Sequence, residues 1–213
     1  MASEICPTID AETLDEYREQ MQRVQPFVVR VHIDVADGSM TPNRLVDIDQ
    51  VSWPANVRAD IHVMYRQPEP YLRALIALGP QLVIFHAEAS GDFIGCAQEL
   101  QRHGIEAGVA LLPETPVDTI VPALEYIDHA LIFSGNIGHF GGKADLGLLD
   151  KVKRLKAAKP TIEIGWDGGV NKQNAAQLAA GGVDVLNTGG FIHHADDPQD
   201  AYAILGLEIL SVR

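Results

Sequence analysis

The chain has 213 residues, 46% of them hydrophobic and 21% charged, enough for one sizeable core in a single domain spanning 1–213. Its net charge is −13, from 16 basic and 29 acidic residues, and no Lys/Arg run occurs, which argues against a nucleic-acid partner or an anionic membrane surface. Cys6 and Cys96 are too few for a disulfide framework and match no metal spacing, the start MASEICPTID has no basic or long apolar region, and no apolar run approaches a membrane span, so a reducing cytoplasm is expected.

In chain order, Ile5–Ile9 reads as a buried strand and Ala11–Arg23 as an amphipathic helix. Phe27–Asp34 is a second strand, followed by NRLVDIDQVSW, which holds at most a short helix. Then come strand Val57–Met64, helix Pro70–Leu78, strand Leu82–His86 and helix Phe93–His103. Strand Gly108–Leu112 precedes a helix over Val117–Leu124, introduced by Thr115-Pro116. Strand Ala130–Phe133, helix Leu146–Ala158 and strand Thr161–Trp166 follow. Helix Asn174–Ala180, stopped by Gly181-Gly182, strand Val183–Asn187 and a last helix over Pro198–Leu205 complete the pattern. Strands alternating with helices mean a parallel sheet with crossovers. Eight such units close naturally into a (β/α)8 TIM barrel. An open doubly wound sheet is the rival, but no Gly-x-Gly-x-x-Gly turn follows the first strand.

Polar residues interrupt these strands at their C-terminal ends. Residues i and i+2 of a strand face the same side, so His32 and Asp34 point together. His62 falls near the end of the third strand, His86 and Glu88 at the fourth, and Asp167 at the seventh. In a barrel those ends meet at one mouth. Two histidines and two carboxylates, His32, Asp34, His62 and Asp167, then suit one divalent ion: zinc, iron, manganese or cobalt. A buried hydrogen-bonded His-x-Asp pair is the plainer reading of the same residues. His86 and Glu88 read either as supports for those ligands or as such a pair. Asp37-Gly38 reads as a turn. Glycines form a second group: GHFGGK over 138–143, DGGV over 167–170 and NTGGF over 187–191. Loops after strands seven and eight are a barrel's usual phosphate site, where glycine lets backbone N–H groups approach an anion. Lys143 could add a positive charge or simply be solvated.

Together these motifs resemble the ribulose-phosphate 3-epimerase family. The family's His-x-Asp-Val-Met-Asp-Gly…Pro-Asn reads here as HIDVADGSMTPN, its Asp-x-His-Leu-Met as DIHVM, its Phe-His-x-Glu as FHAE, its Asp-Gly-Gly-Val as DGGV and its early Pro-Ser-Ile as PTI. The resemblance implies a metal-dependent (β/α)8 epimerase interconverting D-ribulose 5-phosphate and D-xylulose 5-phosphate by two-base proton transfer through a metal-stabilised enediolate. It implies His32, Asp34, His62 and Asp167 as ligands and Asp34 and Asp167 as the acid–base pair. It also implies Thr8, Met64, Gly141, Gly142, Gly168, Gly169, Gly189 and Gly190 as substrate and phosphate contacts, a lid around Phe140, and a homo-oligomer, dimer or hexamer.

Departures sit in the shell around the chemistry. Ala36 replaces a methionine, and LIFSGN lacks the methionine usual before the sixth loop. That loop reads Gly138-His139-Phe140-Gly141-Gly142-Lys143 instead of Pro-Gly-Phe-Gly-Gly-Gln, and the family's Gly-Ser after strand eight is Gly189-Gly190. Fewer methionines imply a roomier or more polar pocket. The alternatives are epimerisation of a hexulose phosphate such as D-allulose 6-phosphate, a metal-independent phosphate-binding barrel isomerase or lyase, and a non-catalytic phosphosugar binder.

Overall fold

The computed structural model describes residues 3–135, 137 and 142–212. Eight parallel strands close in sequence order, each paired with its neighbours and β8 with β1. They are β1 Glu4–Ile9, β2 Arg30–Ala36, β3 Arg58–Met64, β4 Leu82–His86, β5 Glu106–Leu111, β6 His129–Phe133, β7 Glu163–Asp167 and β8 Val185–Thr188. The crossover helices are α1 Leu14–Val24, α2 Leu72–Leu78, α3 Phe93–Arg102, α4 Leu149–Ala158, α5 Ala175–Ala180, α6 Gly190–His193 and α7 Pro198–Leu210. The expected (β/α)8 barrel is therefore the fold. Among the described residues no helix is long and apolar enough to cross a membrane.

Several boundaries move for local reasons. Helix α1 starts at Leu14 rather than Ala11, because Thr13 and Glu16 form a capping box: Thr13 Oγ1 accepts from the Glu16 N–H at 3.2 Å and Glu16 Oε2 from the Thr13 N–H at 3.2 Å. The expected helix over Val117–Leu124 is instead two 3-10 segments, Val117–Thr119 and Val121–Tyr126. Pro122 has no N–H to give the Asp118 carbonyl, so a continuous α-helix is broken there. Between β2 and β3 the crossover holds one 3-10 turn, Ile48–Gln50. Helix α7 continues past Leu205 to Leu210, because Gly206 sits in open space and nothing stops the ladder. Strand β2 begins at Arg30 and runs on to Ala36, since Phe27 turns out to pack on Tyr202 with ring centroids 5.4 Å apart.

The strands are buried on both faces, as a barrel wrapped by helices requires. Outward residues such as Val31, Ile33 and Val35 pack with Ile61, Val63, Tyr17 and Leu100 in one core between barrel and helices. Inside, Leu82, Ile84, Ala110 and Leu131 form a small apolar plug. Below it, at the strand N-terminal ends, lies an ion network. Arg30, 3% exposed, donates to Asp60 Oδ2 at 2.7 Å and to both Glu163 carboxylate oxygens at 3.0 and 2.8 Å. His129 Nδ1 meets Glu163 Oε2 at 2.8 Å. This salt-bridged floor leaves the opposite end of the barrel for the site.

Candidate active site

At the strand C-terminal ends, β2, β3 and β7 bring four polar side chains together. Suitable ligand atoms of His32, Asp34, His62 and Asp167 all lie within 4.8 Å of one another, and all four residues are buried. His62 Nδ1 is 2.8 Å from Asp34 Oδ1. His32 Nε2 is 3.2 Å from Asp34 Oδ1 and 3.9 Å from Asp167 Oδ2, a charge contact outside hydrogen-bond geometry. Among the described residues, both ring nitrogens of the fully buried His32 consequently have no hydrogen-bond partner. Orphaned nitrogens facing two carboxylates and a second imidazole are what a cation site needs, so these residues fit a metal ion. Nothing in the ligand set selects among zinc, iron, manganese and cobalt.

The electrostatics follow from crowding two carboxylates in a buried place. Burial opposes ionisation of Asp34, but the contacts from His32 and His62 outweigh it and hold its carboxyl well below the usual range. Burial and then the charge of Asp34 push Asp167 up to about 7. Burial pulls His62 down to about 4 against the attraction of Asp34. His32 is also penalised by burial, yet Asp34 raises it. A cation among these groups would favour the ionised carboxylates and neutral imidazoles.

Behind His62 runs a hydrogen-bonded chain. His62 Nε2 meets His86 Nε2 at 2.8 Å, and His86 Nδ1 meets Glu88 Oε2 at 3.1 Å. Glu88 Oε1 accepts from the Leu112 N–H at 3.1 Å and from the Thr115 hydroxyl. His86 and Glu88 are thus the hydrogen-bonded pair of the plainer reading, and the pair reaches His62 of the four-residue cluster.

Above the cluster opens a cavity of about 320 Å³, lined by Asp34 and Asp167 among others. Thr8, Met64, Gly142, Gly168, Gly169, Gly189 and Gly190, expected as substrate or phosphate contacts, all line it. Gly141 and Phe140 lie outside the described residues. The Gly168-Gly169 pair has a steric origin. With φ of +106° and +70°, a Cβ at Gly168 would sit 2.4 Å from the Ser134 carbonyl oxygen, and one at Gly169 would sit 2.2 Å from the Ala144 nitrogen. Ala36 is fully buried against Leu45 and Met64, so neighbouring side chains already pack its surroundings. Asp37-Gly38 forms the expected turn, with Asp37 Oδ1 accepting from the Ser39 N–H at 2.9 Å and Gly38 at φ +78°.

Four polar residues not singled out in the sequence also line the cavity: Asp10, Asn171, Asn187 and His194. The signal for Asp10 was the same i, i+2 rule that paired His32 with Asp34, because Asp10 lies two beyond Thr8. Asn187 sits two before Gly189, inside an apolar strand. Burial, then Asp34 and Asp167, push Asp10 up to about 8.

Comparison with known proteins agrees with this arrangement. The family model described as "Ribulose-phosphate 3 epimerase family" matches residues 4–193. A ribulose-phosphate 3-epimerase of Helicobacter pylori is 33% identical over 186 residues, covering 84% of each chain. One of Mycobacterium bovis is 30% identical over 182 residues, 82% of this chain and 80% of its own. A solved 3-keto-L-gulonate-6-phosphate decarboxylase of Vibrio cholerae superposes with a TM-score of 0.77 over 100% of both chains at 15% identity, a likeness of fold alone. The chain belongs to the ribulose-phosphate 3-epimerase family, and it is an isomerase of the epimerase type.

Proposed function

We propose that the protein is a metal-dependent 3-epimerase of ketose phosphates whose substrate pair is D-ribulose 5-phosphate and D-xylulose 5-phosphate. The observation that carries this reading is the convergence of Asp34 and Asp167 on one cavity with the glycines that follow β7 and β8. Inverting a carbon beside a carbonyl requires one group to take a proton from one face and a second to return a proton on the other. Asp34 and Asp167 would serve as these two groups, each transfer gaining roughly 10²–10⁴-fold from a positioned group. His32, Asp34, His62 and Asp167 would hold the metal, which when bound supplies positive charge to the substrate oxygens as negative charge develops there. Gly168, Gly169, Gly189 and Gly190 let the backbone approach the phosphate, which anchors the non-reacting end of the substrate. Burial of the cluster keeps bulk water away from the negative charge that develops on the substrate.

The test is deuterium incorporation from solvent at C3 of D-ribulose 5-phosphate, with metal-loaded and chelated protein side by side. Metal-dependent exchange accompanied by D-xylulose 5-phosphate is the expected result. Absence of exchange in the loaded sample overturns the substrate, and full exchange after verified metal removal overturns the ligand set.

A further inference from the structure

Between the two catalytic carboxyls, on the β8 and β1 side of the mouth, lies a stretch of wall whose polar groups the reaction above does not use. Around the barrel the order is Asp167 on β7, Asn187 on β8, Thr8 on β1 with Asp10 just beyond it, then His32 and Asp34 on β2. Strand register sets Asn187 beside Asp167 and Thr8 beside His32. All line the cavity except His32.

Among the described residues these groups are unsatisfied. Asn187 is 2% exposed, yet neither its amide nitrogen nor its amide oxygen has a hydrogen-bond partner. The buried Thr8 hydroxyl has none either. Among the described residues nothing hydrogen-bonds the Asp10 carboxylate, although its backbone is fixed by Gln20. The Asp10 N–H donates to Gln20 Oε1 at 3.0 Å, and Gln20 Nε2 donates to the Asp10 carbonyl at 2.7 Å. A side-chain amide is not buried unpaired without cost, and an apolar residue of similar size would fill the same strand position. A ligand that completes the hydrogen bonds accounts for the arrangement.

We infer that Asp10 and Asn187 are specificity residues that bind the hydroxyl on the substrate carbon lying between the reacting carbon and the phosphate. The inference rests on the ketose-phosphate reading of the site, in which the phosphate sits at the glycines after β7 and β8 and the reacting carbon lies between Asp34 and Asp167. The β8–β1 arc joins those two places, so the intervening carbon faces it. Asn187 can donate to and accept from a hydroxyl, and an Asp10 carboxyl oxygen can accept its hydrogen bond in either protonation state. Met64 and Phe133 also line the cavity but offer no such groups, and the Asn171 amide is engaged, donating to the Gly169 carbonyl at 3.0 Å and accepting from the Gln173 N–H at 2.9 Å, so the hydroxyl has its partners on the β8–β1 side. A site built to pair a hydroxyl discriminates strongly against the analogue lacking it, because its own buried groups are then left empty.

The test compares D-ribulose 5-phosphate with its 4-deoxy analogue in wild type, Asp10→Ala and Asn187→Val, following deuterium uptake at C3. Each substitution is expected to lower kcat/KM for the hydroxylated sugar roughly 10–100-fold and to leave the 4-deoxy sugar within about threefold, narrowing the wild-type preference. Asn187→Val is also expected to keep or raise the melting temperature, since it removes an unpaired buried amide. Equal losses on both sugars overturn the inference. If wild type turns over neither sugar, the ketose-phosphate reading has failed, and calorimetry on the metal-free protein decides the wall separately. Tighter binding of the hydroxylated sugar that vanishes in both variants supports the hydroxyl contact; equal affinity of wild type for the two sugars overturns it.

Discussion

Glu88→Gln probes how the site orients its ligands without touching a ligand. When His62 offers Nδ1 to a cation, its proton sits on Nε2 and donates to His86 Nε2, 2.8 Å away. His86 must then carry its own proton on Nδ1, which donates to Glu88 Oε2 at 3.1 Å. Glu88 suits this because it only accepts: hydrogen bonds from His86, Thr115 and the Leu112 N–H overcome its burial and lower it to about 2, so it stays ionised. A glutamine puts an NH2 where an oxygen was. Facing His86, that NH2 opposes the Nδ1–H; facing the other way, it opposes the Leu112 N–H. Either orientation sets donor against donor and loosens the tautomer that His62 needs. Loss of such an outer partner weakens metal affinity about 10–100-fold, or about 1.4–2.8 kcal/mol. Competition against a chromophoric chelator at pH 7 measures it, with melting in excess chelator reporting the fold. An affinity within twofold of wild type in a folded variant refutes the chain, leaving His86 and Glu88 as packing partners.

Asp34→Asn and Asp167→Asn are each expected to lower kcat by about 10²–10⁴-fold, read by C3 deuterium exchange with metal content measured in parallel. Gly169→Ala places a Cβ 2.2 Å from the Ala144 nitrogen at a left-handed φ, and should cost about 1–3 kcal/mol in denaturant unfolding while raising KM for the phosphorylated sugar. Arg30→Met strands Asp60, 1% exposed, and should destabilise by about 3–5 kcal/mol; a loss under 1 kcal/mol would show the floor network to be dispensable. Burial opposes the ionised Glu163, but His129 and Arg30 prevail and depress its folded pKa. Its contribution is therefore present above the unfolded value of about 4.3 and lost as pH falls, so Glu163→Gln should lower stability at pH 7 and flatten the acid limb of an unfolding-versus-pH curve.

The strands were legible because each is a short apolar, β-branched run bounded by turns, and the alternation with helices dictated closure. The mouth was legible because His32, Asp34, His62 and Asp167 stand out at strand ends, and because the loops after β7 and β8 that line the cavity carry paired glycines. Less could be read where the signal is tertiary. The pattern over Val117–Leu124 looks helical, and only the Pro122 backbone decides for 3-10 turns. Phe27 looks like strand until Tyr202 on α7 claims its ring. Asn187 carried no periodic signal, since one polar residue in a strand is ambiguous until its neighbours across the sheet are known, and the i, i+2 relation of Asp10 to Thr8 runs past the end of β1.

The same ambiguity explains how floor and mouth depend on each other. On β2 the outward residues Val31, Ile33 and Val35 are apolar and fully buried, while Arg30, His32 and Asp34 share the inward side. Because both faces are buried, slipping β2 by one residue would exchange one buried set for the other. Hydrophobicity alone resists that slip weakly where a strand has no solvent face. What forbids it is polar: the slip would carry Arg30 out among the helices and leave Asp60 unpaired, at the cost of stranding a buried charge. Register pairing runs Arg30 with Arg58, His32 with Asp60 and Asp34 with His62. The contact of Arg30 with Asp60 at one end of β2 and β3 therefore fixes the register that brings Asp34 to His62 at the other. Strand β7 makes the same point through glycine: a Cβ at Gly165 would sit 2.5 Å from His129 Nε2, so the floor histidine demands a glycine two residues before Asp167. The salt-bridged floor is thus part of what places the proposed acid–base pair Asp34 and Asp167, and substitutions there should disturb metal affinity as well as stability.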